Sequence, residues 1–445
     1  MPRLADGVEL LGEYQGSGYA HPASLVRRSD GQVIQLSELL YLVASQIDGR
    51  RDAEAIAGRV SRDLGRSLSA EQVLHLITAK LTPLGIAAVG CGPVALPTAR
   101  PLLTLSARAT LLPQGAANAA GTFFRPLFRW PVVVAVIVCV ASVDYWLLAS
   151  DAVGASLRLV LRDPARLLVV GGLLLISAVF HECGHAAACR YGGARPGPIG
   201  VGIYLVWPSF FTNVTDSYRL SRRGRLRTDL GGLYFNLIFL LALSGVYAVT
   251  SAEVLLLVIA VTHLEMLEQL LPFVRFDGYF ILSDLVGVPD LFSRVGPILR
   301  SALPGPGVAP RVAGLRRSAR TLVVGWVLCV VPLLVAAGGY LLLHFPAMDR
   351  ALWQTVSRQA RLLSAGVAGH HYAAAAVDGI AVVLAVLPIA GSLYVVAGLM
   401  RRAAAAATRW SAGRPGRRVL AAVAAAVGVT ALAASWVLQD QFRGW

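Results

Sequence analysis

The sequence predicts a mainly α fold: a polytopic bundle of about seven membrane helices with a small α+β, winged-helix-like domain at its N-terminus. Three observations predict it. Of 445 residues, 56% are hydrophobic and only 15% charged, against roughly a quarter charged in a soluble domain. Apolar runs close to the roughly 20 residues that cross a bilayer recur along the chain. Residues 1–90 contain no such run and instead carry helix caps and turn signals.

Within residues 1–90, Ser24 to Arg28 and Gln32 to Gln35 flank Ser29-Asp30-Gly31, the pattern of a hairpin. A helix follows from Ser37, with Leu39, Leu40, Val43 and Ile47 on one stripe and Gly49 as its stop. A second helix runs from Asp52 to Leu64. A third opens on a Ser69/Gln72 capping box, and Ile86 to Val89 forms a closing strand. The net charge of this domain is −1, with no basic patch to neutralise phosphates. Nucleic acid is thereby excluded as a partner, and peptide or protein binding is favoured. The start Met1-Pro2-Arg3 has no signal-peptide core, which keeps the domain cytoplasmic.

Residues 91–130 hold Pro93, Pro97, Pro101, Pro113 and Pro126 among Gly and Ala, and read as linker and juxtamembrane segment. The membrane domain occupies 131–445. Its candidate spans are Pro131–Leu148, Leu167–Ala188, Leu230–Val249, Val254–Phe273, Leu322–Leu343, Ile380–Met400 and Val419–Leu438. Arginines cluster after the second, fourth and sixth spans (Arg219 to Arg227, Arg311 to Arg317, Arg401 to Arg418), which places those loops in the cytoplasm of a multi-pass cell-membrane protein. The formal net charge of +15, with Lys80 the sole lysine, is therefore a matter of topology. The lipid bilayer, not nucleic acid, is what the charge faces. Five scattered cysteines form no framework.

The strongest chemical signal is His181-Glu182-Cys183-Gly184-His185, at the end of the second span. Positions i and i+4 share a helix face, so both imidazoles reach one metal ion, and Zn2+ accepts such nitrogens while keeping a position open for catalysis. Glu182, beside the first ligand, is placed to take a proton from water and pass it to a leaving amine. Ionisable side chains within a span are costly and mark function. A third ligand must come from elsewhere. Asp277, in Arg275-Phe276-Asp277-Gly278-Tyr279, returns to the membrane face of His185; His263, Glu265 and Glu268, one or more turns deeper, are its rivals.

With these residues in hand, the chain resembles the site-2 protease family of intramembrane zinc metallopeptidases. The resemblance rests on His181 to His185, on Gly232-Leu233-Tyr234-Phe235-Asn236 and on Phe276-Asp277-Gly278, in that order across a core of about 167–285. It implies that His181, His185 and Asp277 bind zinc and that Glu182 is the catalytic acid/base. It also implies that Asn236 lies near the site to orient substrate or stabilise an oxyanion; a helix-packing hydrogen bond is the other role open to it. Gln269 stands where many members have Asn, which lengthens that auxiliary contact. Residues Ile199 to Thr215, rich in β-formers, correspond to the family's strands near the metal. The N-terminal domain resembles the winged-helix peptide-recognition domains of pyrroloquinoline quinone and ribosomal peptide biosynthesis, through Val26 to Gly31, Leu36-Ser37 and Ile47-Asp48-Gly49. The expected function is hydrolysis of a membrane-associated or peptide-precursor substrate by a zinc metalloendopeptidase. The rival is a non-hydrolytic export or immunity protein that keeps the metallopeptidase fold. Nothing in the sequence fixes the oligomeric state.

Overall fold

The computed structural model describes residues 1–20, 24–29, 32–89, 106–150, 152–160, 164–204, 207–301 and 314–441. It is mostly helical, with three small sheets.

Two of the sheets belong to the N-terminal part. Strand β1 (Pro2–Leu4) pairs antiparallel with β5 (Ala87–Val89), and β2 (Glu9–Glu13), β3 (Ser24–Arg27) and β4 (Val33–Leu36) form an antiparallel sheet in that order. The expected hairpin is therefore β3–β4; Asp30 and Gly31 of its turn lie outside the described residues. Strands β1 and β2 were not expected. Gly7 and Gly12, both at positive φ, interrupt the alternation by which such strands are read.

Helix α1 (Glu38–Gln46) is capped by the Ser37 side chain, α2 (Ala53–Leu64) by Asp52, and α3 (Ala70–Leu76) by the Ser69/Gln72 capping box. Each cap satisfies N–H groups that the first turn leaves without partners. Val26, Leu36, Val43, Ile56, Val60, Val73, Ile77 and Ile86 close over one another as the core.

The segment expected as linker is built structure from residue 106 onward. Strand β6 (Ser106–Leu112) joins β7 (Ile199–Tyr204) and β8 (Trp207–Thr212) in the third sheet, order β6-β7-β8. Helix α4 (Gln114–Phe124) follows, and at Gly121 a side chain would meet the Ala186 carbonyl at 2.9 Å. The small residues that suggest a linker are what let α4 lie against its neighbour. Residues 90–105 of the expected linker are outside the described residues.

Among the described residues, four helices are long and apolar enough to cross a membrane: Trp130–Ala149, Ala165–Tyr191, Gly231–Thr250 and Arg317–Phe345. The first three lie in α5 (Trp130–Ala149), α7 (Pro164–Tyr191) and α9 (Gly231–Thr250). Between α5 and α7 comes a short α6 (Ala152–Val160), and a short α8 (Arg222–Asp229) precedes α9. The expected span Val254–Phe273 is a shorter helix, α10 (Val254–Gln269), of 16 residues. It stops before Pro272, which lacks an N–H and disfavours helix in the residue ahead of it. The chain then turns into α11 (Asp277–Val286) and α12 (Phe292–Ser301). The last two expected spans fall inside the long helices Tyr372–Ser411 and Pro415–Gln441.

Candidate metal centre

Helix α7 carries His181, Glu182 and His185 at its buried C-terminal part. The i, i+4 spacing brings the two imidazoles together edge-on, their planes 78° apart and their Nε2 atoms 3.1 Å from one another. Asp277, the first residue of α11, bridges them: its Oδ2 lies 3.1 Å from His181 Nε2 and its Oδ1 lies 3.5 Å from His185 Nε2. The three expected ligands are therefore together. Of the rivals, His263 is engaged elsewhere. His263, on α10, faces Asp144 of α5, with Nε2 3.0 Å from Oδ1.

The donor set fits a zinc ion. Bonds of about 2.0–2.1 Å in a tetrahedron put ligand atoms about 3.3 Å apart, and the observed separations straddle that value. The tautomer fits as well. His185 Nδ1 is 2.8 Å from the Thr228 carbonyl, which only accepts, so Nδ1 carries the hydrogen and Nε2 is left for the centre. Both Asp277 oxygens face these ring nitrogens, so the carboxylate supplies the anionic donor of the set.

Glycine makes room for this arrangement. A Cβ on Gly184 would meet the Gly231 carbonyl oxygen at 2.2 Å, so α7 and α9 touch backbone to backbone. A Cβ on Gly232 would meet His181 Nε2 at 2.2 Å, on the side where the donors converge. Asn236, one turn further along α9, is buried, and its Oδ1 has no hydrogen-bond partner among the described residues. The position Gly278 must also be small, since a Cβ there would meet the Leu270 carbonyl oxygen at 2.1 Å. Gln269 ends α10 beside this turn, and its Oε1 likewise has no partner among the described residues.

Glu182 is held from the third sheet. The Thr212 hydroxyl, at the end of β8, donates to Glu182 Oε2 over 2.6 Å. Sequence reasoning missed Thr212 and Thr228. One acts through a hydroxyl in a segment read only for its β-formers, the other through a backbone carbonyl that any residue supplies.

A second buried cluster adjoins the first. Arg225 of α8 is fully buried, with Nε donating to Asp284 Oδ1 of α11 at 2.8 Å. The Tyr14 hydroxyl donates to the same Asp284 oxygen at 2.8 Å. Burial and the Asp284 carboxylate push the Tyr14 phenol far above its usual range, so it stays a donor. Burial, then Asp284, pushes the Asp229 carboxyl well above the carboxylate range. Arg225 could not be singled out in the sequence, where it is one arginine among several in a basic loop.

No family model and no solved structure matches the chain. One curated protein does: "Putative peptide zinc metalloprotease protein YydH" of Bacillus subtilis (strain 168), 28% identical over 122 residues, 27% of this chain. The match spans about half of that relative, 48% of its length. Likeness to a metallopeptidase and four apolar helices are what comparison and fold establish together.

Proposed function

We propose that the chain is a multi-pass membrane zinc metalloendopeptidase of the site-2 protease type, its zinc held by His181, His185 and Asp277. The observation that carries this reading is the convergence of two α7 imidazoles and an α11 carboxylate, with Glu182 adjacent. A zinc ion bound there would acidify water and polarise the scissile carbonyl. Glu182 takes the proton from water and delivers it to the leaving amine. Asn236 offers a buried amide with an open carbonyl to an arriving peptide, and Gln269 serves as an auxiliary contact. The β6-β7-β8 sheet holds the substrate extended, since a helical peptide bond is shielded by its own hydrogen bonds. Three further spans come from the α10 region and the last two long helices, and place the basic loops and residues 1–90 in the cytoplasm. Residues 1–90 are a winged-helix module that recognises a peptide segment of the substrate.

The test is metal removal and return. The purified protein is expected to contain one zinc per chain, to lose cleavage of an unfolded peptide on chelation, and to regain it with added zinc. Zinc binding without cleavage of any peptide would favour the export or immunity reading instead.

Thr212→Val is expected to lower kcat about tenfold with zinc content unchanged, because it removes one hydrogen bond to a charged group, worth about 1.5–3 kcal/mol. Thr212→Ser, which keeps the hydroxyl, is expected to stay near the parent. Equal losses in both variants would mean that bulk, not the hydroxyl, matters at this position.

A further inference from the structure

Residues Tyr14 to Ala20, between β2 and β3, do not belong to the core of their own domain. They turn at Gln15-Gly16 and cross the end of the membrane domain as a strap. The Gly18 N–H donates to the Gly287 carbonyl at 2.9 Å, the Arg316 N–H to the Gly18 carbonyl at 2.8 Å, and the Ala20 N–H to the Gly314 carbonyl at 2.9 Å. A Cβ on Gly18 would meet the Val286 carbonyl oxygen at 2.4 Å, and one on Gly287 would meet the Gly16 carbonyl oxygen at 2.4 Å. The strap thus lies backbone to backbone on the C-terminal end of α11. Arg222 Nη2 donates to the Gly16 carbonyl, and Glu9 pairs with Arg219 beside it.

The strap also completes the buried Arg225–Asp284 pair. Arg225 Nη2 donates to the Gln15 carbonyl at 3.0 Å, its guanidinium lies 4.1 Å over the Tyr14 ring, and Tyr14 supplies the hydroxyl to Asp284. A buried ion pair is held only when its remaining donors and acceptors are satisfied. Here two of those partners come from the N-terminal part.

Of the two helices so pinned, α11 presents Asp277 and α8 carries the Thr228 carbonyl that orients His185 of α7. Arg225 sits one turn before Thr228, whose carbonyl orients His185. Asp284 sits two turns after Asp277 on the same face of α11. Resting on the zinc reading above, we propose that the Tyr14–Ala20 strap is a positioning element of the metal centre, with Tyr14 its positioning residue. It acts through Arg225 and Asp284 on the helices that present Asp277 and orient His185. The N-terminal module is then a working part of the catalytic face, so a peptide seated on the module is coupled to the site in cis.

The experiment uses the full chain in detergent, with Tyr14→Phe, which removes only the hydroxyl, and Gly18→Val, which lifts the strap off α11. Readouts are zinc loss to a chelator, the visible spectrum after replacement by Co2+, and kcat and KM on a short unfolded peptide. Outer-shell partners of metal ligands are typically worth 10–100-fold in affinity or activity. Tyr14→Phe is therefore expected to speed zinc loss and lower kcat about tenfold with KM unchanged, and Gly18→Val to do more. An altered Co2+ spectrum in both is expected. Parent-like zinc retention, spectrum and kcat in both variants would overturn the proposal, as would an effect on KM alone. A parent that binds neither Zn2+ nor Co2+ would instead remove the metal reading itself, and the strap's role with it.

Discussion

Glu182→Gln is expected to bind zinc as the parent does and to lose peptide hydrolysis by about three orders of magnitude. Glutamine keeps the length of the side chain and one carbonyl oxygen as acceptor but cannot take a proton from water. The contribution of a positioned acid/base is about 10²–10⁴-fold, and a thousandfold loss corresponds to about 4 kcal/mol of barrier. The fold should be indifferent to the change, because the described partner of the Glu182 side chain is the Thr212 hydroxyl, which can still donate to an amide oxygen. Rate measurements on one unfolded peptide, with zinc content measured in parallel, decide it. Near-parental cleavage at full zinc occupancy would remove Glu182 from the reaction.

The candidate site was legible wherever it depends on period or on a short motif. A spacing of four puts His181 and His185 on one face, and the geometry follows without tertiary help. The caps at Ser37, Asp52 and Ser69 were legible for the same reason, since each acts within three residues. What depends on long separations was not. Tyr14 and Asp284 are brought together across 270 positions of chain, and neither residue type signals the other. Strand β6 pairs with β7 across most of a hundred residues, so a run of small residues before α5 looks like spacer until its partner is known. The early end of α10 was visible in Pro272, but a hydropathy window runs through a proline without registering it.

Separation of recognition from catalysis is also revised by these contacts. A linker rich in proline suggests a module that could be removed without touching the site. Arg27 and Glu9 of its sheet instead meet Asp216 and Arg219, in the segment that follows β8. Deletion of residues 1–90 therefore removes Tyr14 and Gln15 from around Arg225 and leaves a buried charge with fewer partners. Loss of activity in such a truncation would not by itself report on substrate recognition.

Asp277→Ala is expected to abolish stoichiometric zinc binding, with affinity falling by more than the 10–100-fold typical of a supporting outer-shell group. Two imidazoles on one helix supply only half of a tetrahedral shell, and the carboxylate adds the third protein donor from a different helix, leaving the fourth position open. Its removal also leaves His181 and His185, 3.1 Å apart at Nε2, without the anion that makes a cation between them favourable. Asp277→Asn separates charge from shape: the amide oxygen keeps a donor atom in place, and zinc should be retained more weakly than in the parent but better than with alanine. Because Asp277 opens α11, the alanine change could also loosen the helix start, so the asparagine variant and a thermal unfolding measurement are needed together. Zinc content, chelator competition and unfolding midpoints of the three proteins make the comparison. Parental zinc retention in Asp277→Ala would show that another residue supplies the third donor, and His263, Glu265 and Glu268 would then be the positions to change next.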